Sequence, residues 1–254
     1  MHSRRCLLVF SIAVASFPAD ALSQGKTAKS HPLSEKQRAE ITKRFTAVVA
    51  EQSKAIAANP AGVDAYSRRG DAYFFLGRFK QAVADYDKMV QLDAKLDTSH
   101  WRRGIAYFYA GDYKKAARQF EVYNTFDMVD RENGIWRFFS QAKAYGVEKA
   151  RKNLLKYKQT DREPFGDVYQ LFAKKITPQQ ILKNIESAKI GKDERNKRLF
   201  YAHLYIGLNE ALAGNNKAAR RHLHKAVANP WGRTAGFGPN YMWHVGRLHD
   251  ELLK

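Results

Sequence analysis

The apolar positions of this chain recur at helical spacing, in blocks separated by short polar, proline- or glycine-bearing segments. Residues 33–58 form one such block, which stops at Asn59-Pro60. Two further blocks follow over residues 63–130, and another spans residues 135–157. Residues 158–163 are polar and charged, and Pro164 follows them, so this segment reads as a loop. Residues 165–173 and 177–188 predict two short helices, the second opened by Thr177-Pro178. After a polar connection at 190–195, residues 198–230 and 241–253 predict the closing helices, joined through the loop 234–239. No segment alternates with the period of a half-buried strand, so the predicted class is all-α.

Two of these blocks are copies of each other. Residues 68–82 read RRGDAYFFLGRFKQA, and residues 102–116 read RRGIAYFYAGDYKKA. At an offset of 34 residues, Arg68, Gly70, Tyr73, Gly77 and Ala82 recur as Arg102, Gly104, Tyr107, Gly111 and Ala116. Glycine inside a helix costs roughly 1 kcal/mol relative to alanine. Gly70 and Gly104 are therefore expected where two helices cross closely, with Ala82 and Ala116 opposite them. Tyr73, Tyr86, Tyr107 and Phe120 are expected to fill the space between neighbouring hairpins. Gly77 and Gly111 are placed to end the first helix of each hairpin, where a left-handed turn is cheapest for glycine.

A 34-residue period with these residue types resembles the tetratricopeptide repeat (TPR) family. The resemblance implies an α-solenoid of antiparallel helix hairpins. Its expected parts are an N-terminal capping helix at 33–58, repeats at 63–96 and 97–130, and a degenerate repeat at 131–157 with Gly146 at its turn. Insertion helices at 165–188, a repeat at 198–230 and a C-terminal capping helix at 239–254 complete it. In the last repeat Gly207 and Ala219 take the crossing positions and Gly214 the turn. Each hairpin leaves an apolar face that its neighbour must cover.

The order of parts carries a second resemblance. The third unit opens Ile135-Trp136, a helical insertion carries Ile176-Thr177-Pro178, and a closing unit holds the run from Tyr205 to Gly214. This is similar to the NlpI-type bacterial envelope TPR proteins, and implies an adaptor that brings other proteins together. Those proteins are lipid-anchored through a cysteine after the signal, and no cysteine stands there in this chain.

The beginning of the chain reads as an export signal. His2, Arg4 and Arg5 precede a 12-residue apolar stretch at 6–17, and Ala19-Asp20-Ala21 supplies a small-x-small cleavage site. Residues 1–21 are expected to be removed and 22–32 to form a linker. Ser3-Arg4-Arg5-Cys6 also partly fits a twin-arginine signal. The apolar stretch is too short to span a bilayer. Cys6, the single cysteine, leaves with the signal, so no disulfide or thiolate chemistry is expected afterwards. The formal charge is +19, of which residues 1–21 hold one. That surplus favours acidic partners, including anionic cell-wall polymer, and export argues against nucleic acid. The expected location is periplasmic or secreted.

In a TPR array the first helices of successive repeats line a concave groove. The corresponding positions here are Ser67, Arg68, Asp71, Phe74 and Phe75 in the first repeat, and Trp101, Arg102, Ile105, Phe108 and Tyr109 in the second. Arg137, with Trp136, extends the row. Arginine forks onto carboxylates and aromatics supply rigid contact area, which suggests a groove for an acidic or C-terminal peptide segment. The competing reading keeps the aromatics for hairpin packing and the arginines for solvent. The Lys/Asn carboxylate clamp of chaperone-binding TPR proteins is absent, its places being held by Ser67, Asp71, Arg102 and Phe139.

Catalytic chemistry is not indicated. His222 and His224 point to different helix faces, and no metal-ligand spacing, phosphate loop or nucleophile motif occurs. The expected function is a non-catalytic, cofactor-free adaptor that binds protein or peptide, with anionic-polymer binding as the alternative.

Overall fold

Ser34 starts the first helix by a reciprocal cap, its Oγ accepting from the Gln37 amide while the Gln37 side chain accepts from the Ser34 amide. The computed structural model describes residues 32–253. The expected signal and most of the expected linker lie outside them. Among the described residues there are helices and no strands.

Helix α1 (Glu35–Ala58) leads into the hairpin α2 (Val63–Phe75) and α3 (Phe79–Leu92). A single 3-10 turn, η1 (Ala94–Asp97), connects to the hairpin α4 (Trp101–Ala110) and α5 (Tyr113–Phe126). Helices α6 (Arg131–Tyr145) and α7 (Val147–Lys152) form a shortened third hairpin. The glycine turns follow the repeat. Gly111 sits at φ 89° and joins α4 to α5, where a side chain would strain the backbone. In the third hairpin Gly146 ends α6 and also precedes α7, so its turn is one residue shorter.

The crossings are close. A Cβ on Gly70 would lie 2.7 Å from the Tyr86 ring, and one on Gly104 would lie 2.6 Å from the Phe120 ring. Tyr86 and Phe120 are themselves 34 residues apart and fully buried, as are Ala82 and Ala116. In the last repeat a Cβ on Gly207 would lie 2.8 Å from the Leu223 side chain, and Ala219 is fully buried. Tyr107 reaches back to donate to Asp87 of the preceding hairpin, and Tyr73 is half-buried beneath the Arg69 guanidinium. A row of arginines ties first helices to second helices: Arg69 to Asp85 at 2.7 Å, Arg103 to Asp87 at 3.5 Å and Arg137 to Glu121 at 3.0 Å. The last two pairs repeat at the 34-residue step.

Helix α7 ends at Lys152, well short of the block predicted to run to residue 157. The chain then continues without regular structure, held by Tyr157 donating to the Asp130 carbonyl and Tyr169 to the Leu155 carbonyl. Helix α8 (Phe165–Phe172) takes up the uncovered face of α6, where Phe172 meets Phe138 and Phe139. Helix α9 (Pro178–Ser187) starts on a Thr177 cap and buries Ile181 and Ile185. Helices α10 (Lys192–Leu212) and α11 (Asn216–Ala228) form the closing hairpin, followed by α12 (Pro230–Thr234) and α13 (Phe237–Leu252).

Helix α13 packs on both ends of the array. On one side it seals α11, with Trp243 Nε1 donating to the Val227 carbonyl at 2.9 Å and Asp250 against His224 at 3.2 Å. On the other it meets α2: Tyr241 stacks on Phe74 at 4.7 Å and His244 on Phe75 at 4.1 Å. Arg247 donates to the Phe75 carbonyl. The array is thereby a TPR-type all-α solenoid whose last helix returns to its first repeat.

Candidate functional site

The expected groove residues divide into those that α13 covers, those that satisfy one another, and those that stay open. Phe75 and Ile105 are buried, Phe75 against His244 and Tyr241. Tyr109 hydrogen-bonds His249 of α13 at 2.9 Å. Phe74 is fully buried and Phe108 packs edge-on to Trp136 at 5.6 Å, so both serve hairpin packing. Arg102 donates to Asp71 at 2.7 Å and to Ser67 at 3.1 Å. Three of the expected contact residues are thus engaged with each other. Arg68 is exposed, near the α1–α2 connection.

Arg137 does not extend the row. Its guanidinium donates to Glu121 and to the Asn153 carbonyl, on the side where α5, α6 and α7 meet. The reason is register. At a strict 34-residue step Trp136 stands where Arg102 stood, and Arg137 where Arg103 stood. Trp136 is the residue that continues the inner face.

Between α4–α6 on one side and α10, α12 and α13 on the other, the inner face keeps a cavity of about 350 Å³. Trp101, Ile105 and Trp136 form one wall, and Tyr201, Trp231 and Met242 the facing one. Asp130, Glu132 and Arg162 stand at one end. Phe237 is 55% exposed, with its ring centroid 6.3 Å from that of Trp101, beside the cavity-lining Gly238 and Pro239.

Residues 63–96 match the Tetratricopeptide repeat family. The match spans α2, α3 and all but the last residue of η1, and therefore Ser67, Arg68, Gly70, Asp71, Tyr73, Phe75 and Ala82. A search of curated proteins finds no match to the chain. A TPR unit within an all-helical solenoid supports a protein-interaction role in general, and the fold is typically a non-catalytic scaffold.

The polar end of this cavity is its most unusual chemistry. Arg162 lies 2.5 Å from Glu132, 3.4 Å from Asp130 and 3.3 Å from Asp161, and stacks over Phe165 at 4.3 Å. Glu132 also accepts from the Tyr205 hydroxyl. Burial, and then the neighbouring carboxylates against the pull of Arg162, push the Glu132 carboxyl up to about 7. Burial likewise pushes the Tyr123 phenol up to about 12, with Asp130 adding to the shift.

Sequence reasoning did not reach this cluster. Glu132 opens α6, Arg162 and Asp161 sit in what read as a solvated loop, and Tyr201 and Trp231 come from the closing unit. Only the fold brings them together. The aromatic run from Trp231 to Trp243 serves both as seal and as cavity wall. Among the described residues no group of histidines and carboxylates is arranged to hold a metal, and no helix is long and apolar enough to cross a membrane.

Proposed function

We propose that this protein is a non-catalytic TPR adaptor of the bacterial cell envelope, exported and soluble there, which binds a segment of another protein at the mouth of the inner-face cavity. One observation carries the reading. After α13 has filled the part of the groove beside the first repeat, an aromatic cavity of about 350 Å³ is left on the inner face. Three of the chain's four tryptophans line it. Aromatic pockets flanked by polar groups are where interfaces concentrate their binding energy. The partner lies across Phe237 and inserts an anchor between Trp101 and Trp231.

The test is site-specific photo-cross-linking in the source organism, with the cross-linking amino acid at Phe237 and, as control, at the comparably exposed Phe126 at the end of α5. A discrete protein adduct at 237 and none at 126 is expected. Equal labelling at both, or none at 237, overturns the reading.

The formal charge of +19 supports a second reading, the holding of an anionic cell-wall polymer by diffuse attraction. Affinity capture at two salt concentrations separates the two. Polymer binding collapses at high ionic strength, whereas an aromatic anchor survives it.

A further inference from the structure

The charges around the cavity are out of balance in a direction opposite to the protein as a whole. Asp130, Glu132 and Asp161 share the single guanidinium of Arg162. With all four ionised, this cluster, of which Asp130, Glu132 and Arg162 line the cavity, carries two surplus negative charges inside a chain whose formal charge is +19. Lys197, the other cation on the lining, lies 3.1 Å from Glu194, which Arg198 also contacts at 2.9 Å.

A second observation is independent of charge. Asn133 lines the cavity and is only 3% exposed. Its amide nitrogen donates to the Phe120 carbonyl at 3.2 Å, but its Oδ1 accepts from no group of the protein. A buried acceptor without a donor is costly, and most native ones are satisfied. The rings of Trp101, Trp136, Tyr201 and Trp231 line the same cavity.

From this juxtaposition we infer that the cavity is a socket for a basic side chain, arginine or lysine, carried by the bound partner segment. Surplus carboxylates attract the charge, the Asn133 oxygen takes one of its N–H groups, and the tryptophan and tyrosine faces hold the cation by their quadrupoles. An acidic anchor would add a further negative charge to three. An aliphatic one would leave Asn133 and the carboxylates unanswered. The volume, at the lower end of ligand sites, suits one long side chain. A cation beside Glu132 also favours its ionised form, so binding near pH 7 releases a proton.

The inference rests on the adaptor reading for its source of ligand, but its test does not need the partner. The purified full chain is titrated with the blocked tripeptides Gly-Arg-Gly and Gly-Lys-Gly, and with norleucine and glutamate analogues. Tryptophan fluorescence and calorimetry in two buffers of different ionisation enthalpy provide the readouts. The arginine and lysine peptides are expected to bind at least tenfold tighter than the norleucine one, with proton release at pH 7. Glu132→Gln is expected to weaken them at least fivefold and to abolish that release.

Equal binding of the norleucine or glutamate peptide, or an unchanged proton count, overturns the inference without any variant having to fold. Methylguanidinium binding as tightly as the peptide overturns the assignment to a partner's side chain in favour of a free organic cation. A protein cross-linked at Phe237 together with no response to the basic peptides sinks the socket and leaves the adaptor reading standing. A basic-peptide response with no protein captured at Phe237 does the reverse.

Discussion

Arg102 Nη1 donates to both carboxylate oxygens of Asp71, at 2.7 and 2.8 Å. Asp71 also accepts from the Tyr86 hydroxyl at 2.6 Å, so the pair ties α4 to α2 and to the crossing of the first hairpin. Arg102→Met leaves a mostly buried carboxylate with the tyrosine alone. Breaking a fully buried pair costs about 3–5 kcal/mol. Both side chains here keep some exposure, 18% and 14%, so about 2 kcal/mol is expected. Urea unfolding of Arg102→Met, Asp71→Asn and the double variant measures it. Strict additivity of the two single effects would show that the pair contributes nothing. Arg68→Glu, at an exposed position, is expected to leave stability within about 0.5 kcal/mol.

The close crossing makes an opposite-sized prediction for two glycines. Gly104→Ala sets a methyl 2.6 Å from the Phe120 ring, which is fully buried and stacked on Trp136. Overpacking of this kind costs about 1–3 kcal/mol despite alanine's better helix propensity. Phe120→Leu in the same chain is expected to recover part of that loss. Gly191, with nothing within 4 Å of its Cβ position, is the control. Gly191→Ala is expected to be neutral within about 0.5 kcal/mol. Thermal melts of the three variants decide, and equal losses at 104 and 191 would remove the packing argument.

What could be read without coordinates follows from the same contrast. Gly70, Gly104, Ala82 and Ala116 are constrained by neighbours within one hairpin, so the constraint repeats every 34 residues and shows in the chain. The Arg247 contact with Phe75 joins residues 172 positions apart. It belongs to no period, and nothing local announces it. The inner face was therefore legible as a row, while its occupation by α13 was not. Arg137 leaves the row for a subtler reason: at the 34-residue step it corresponds to Arg103 and not to Arg102, and on a helix one residue is about 100°. The acidic cluster around Arg162 needed the irregular segment after α7, which leaves only a polar stretch in the sequence.

Buried histidines set the acid limit of the fold. Burial, helped by the neighbouring cations Lys143 for His249 and Lys225 for His203, lowers both imidazoles to about 4, and His100 falls to about 3 beside Arg102 and Arg103. Each has a folded pKa below its ordinary 6.5, so the folded state holds fewer protons than the unfolded chain as pH falls. Their stabilising effect is complete above about pH 6.5 and is lost between there and about pH 4. Glu132 acts against them. Its folded pKa is raised to about 7 from 4.5, so it favours folding increasingly as pH drops through that interval. The histidines are more numerous, so the melting temperature is expected to fall from pH 6.5 to pH 4. Glu132→Gln is expected to gain more stability over the natural protein at pH 8 than at pH 5. A flat melting profile across this range would contradict the assignment of the histidines as neutral in the fold.

The return of α13 to α2 changes how the solenoid should unfold. In an open repeat array each unit contacts only its neighbours, and the ends can fray independently. Here Tyr241, fully buried, stacks on Phe74 of the first repeat and meets Trp101 of the second at 4.9 Å, while Trp243 two residues on bonds the last repeat. Removing the ring should therefore loosen both ends at once. Tyr241→Ala is expected to cost about 3–5 kcal/mol, the range for emptying a large aromatic site. In native-state hydrogen exchange the amides of α3 and of α11 should lose protection together and by similar amounts. Loss confined to α11 and α13 would mean that the contact with α2 is incidental, and that the ends of the array are energetically separate.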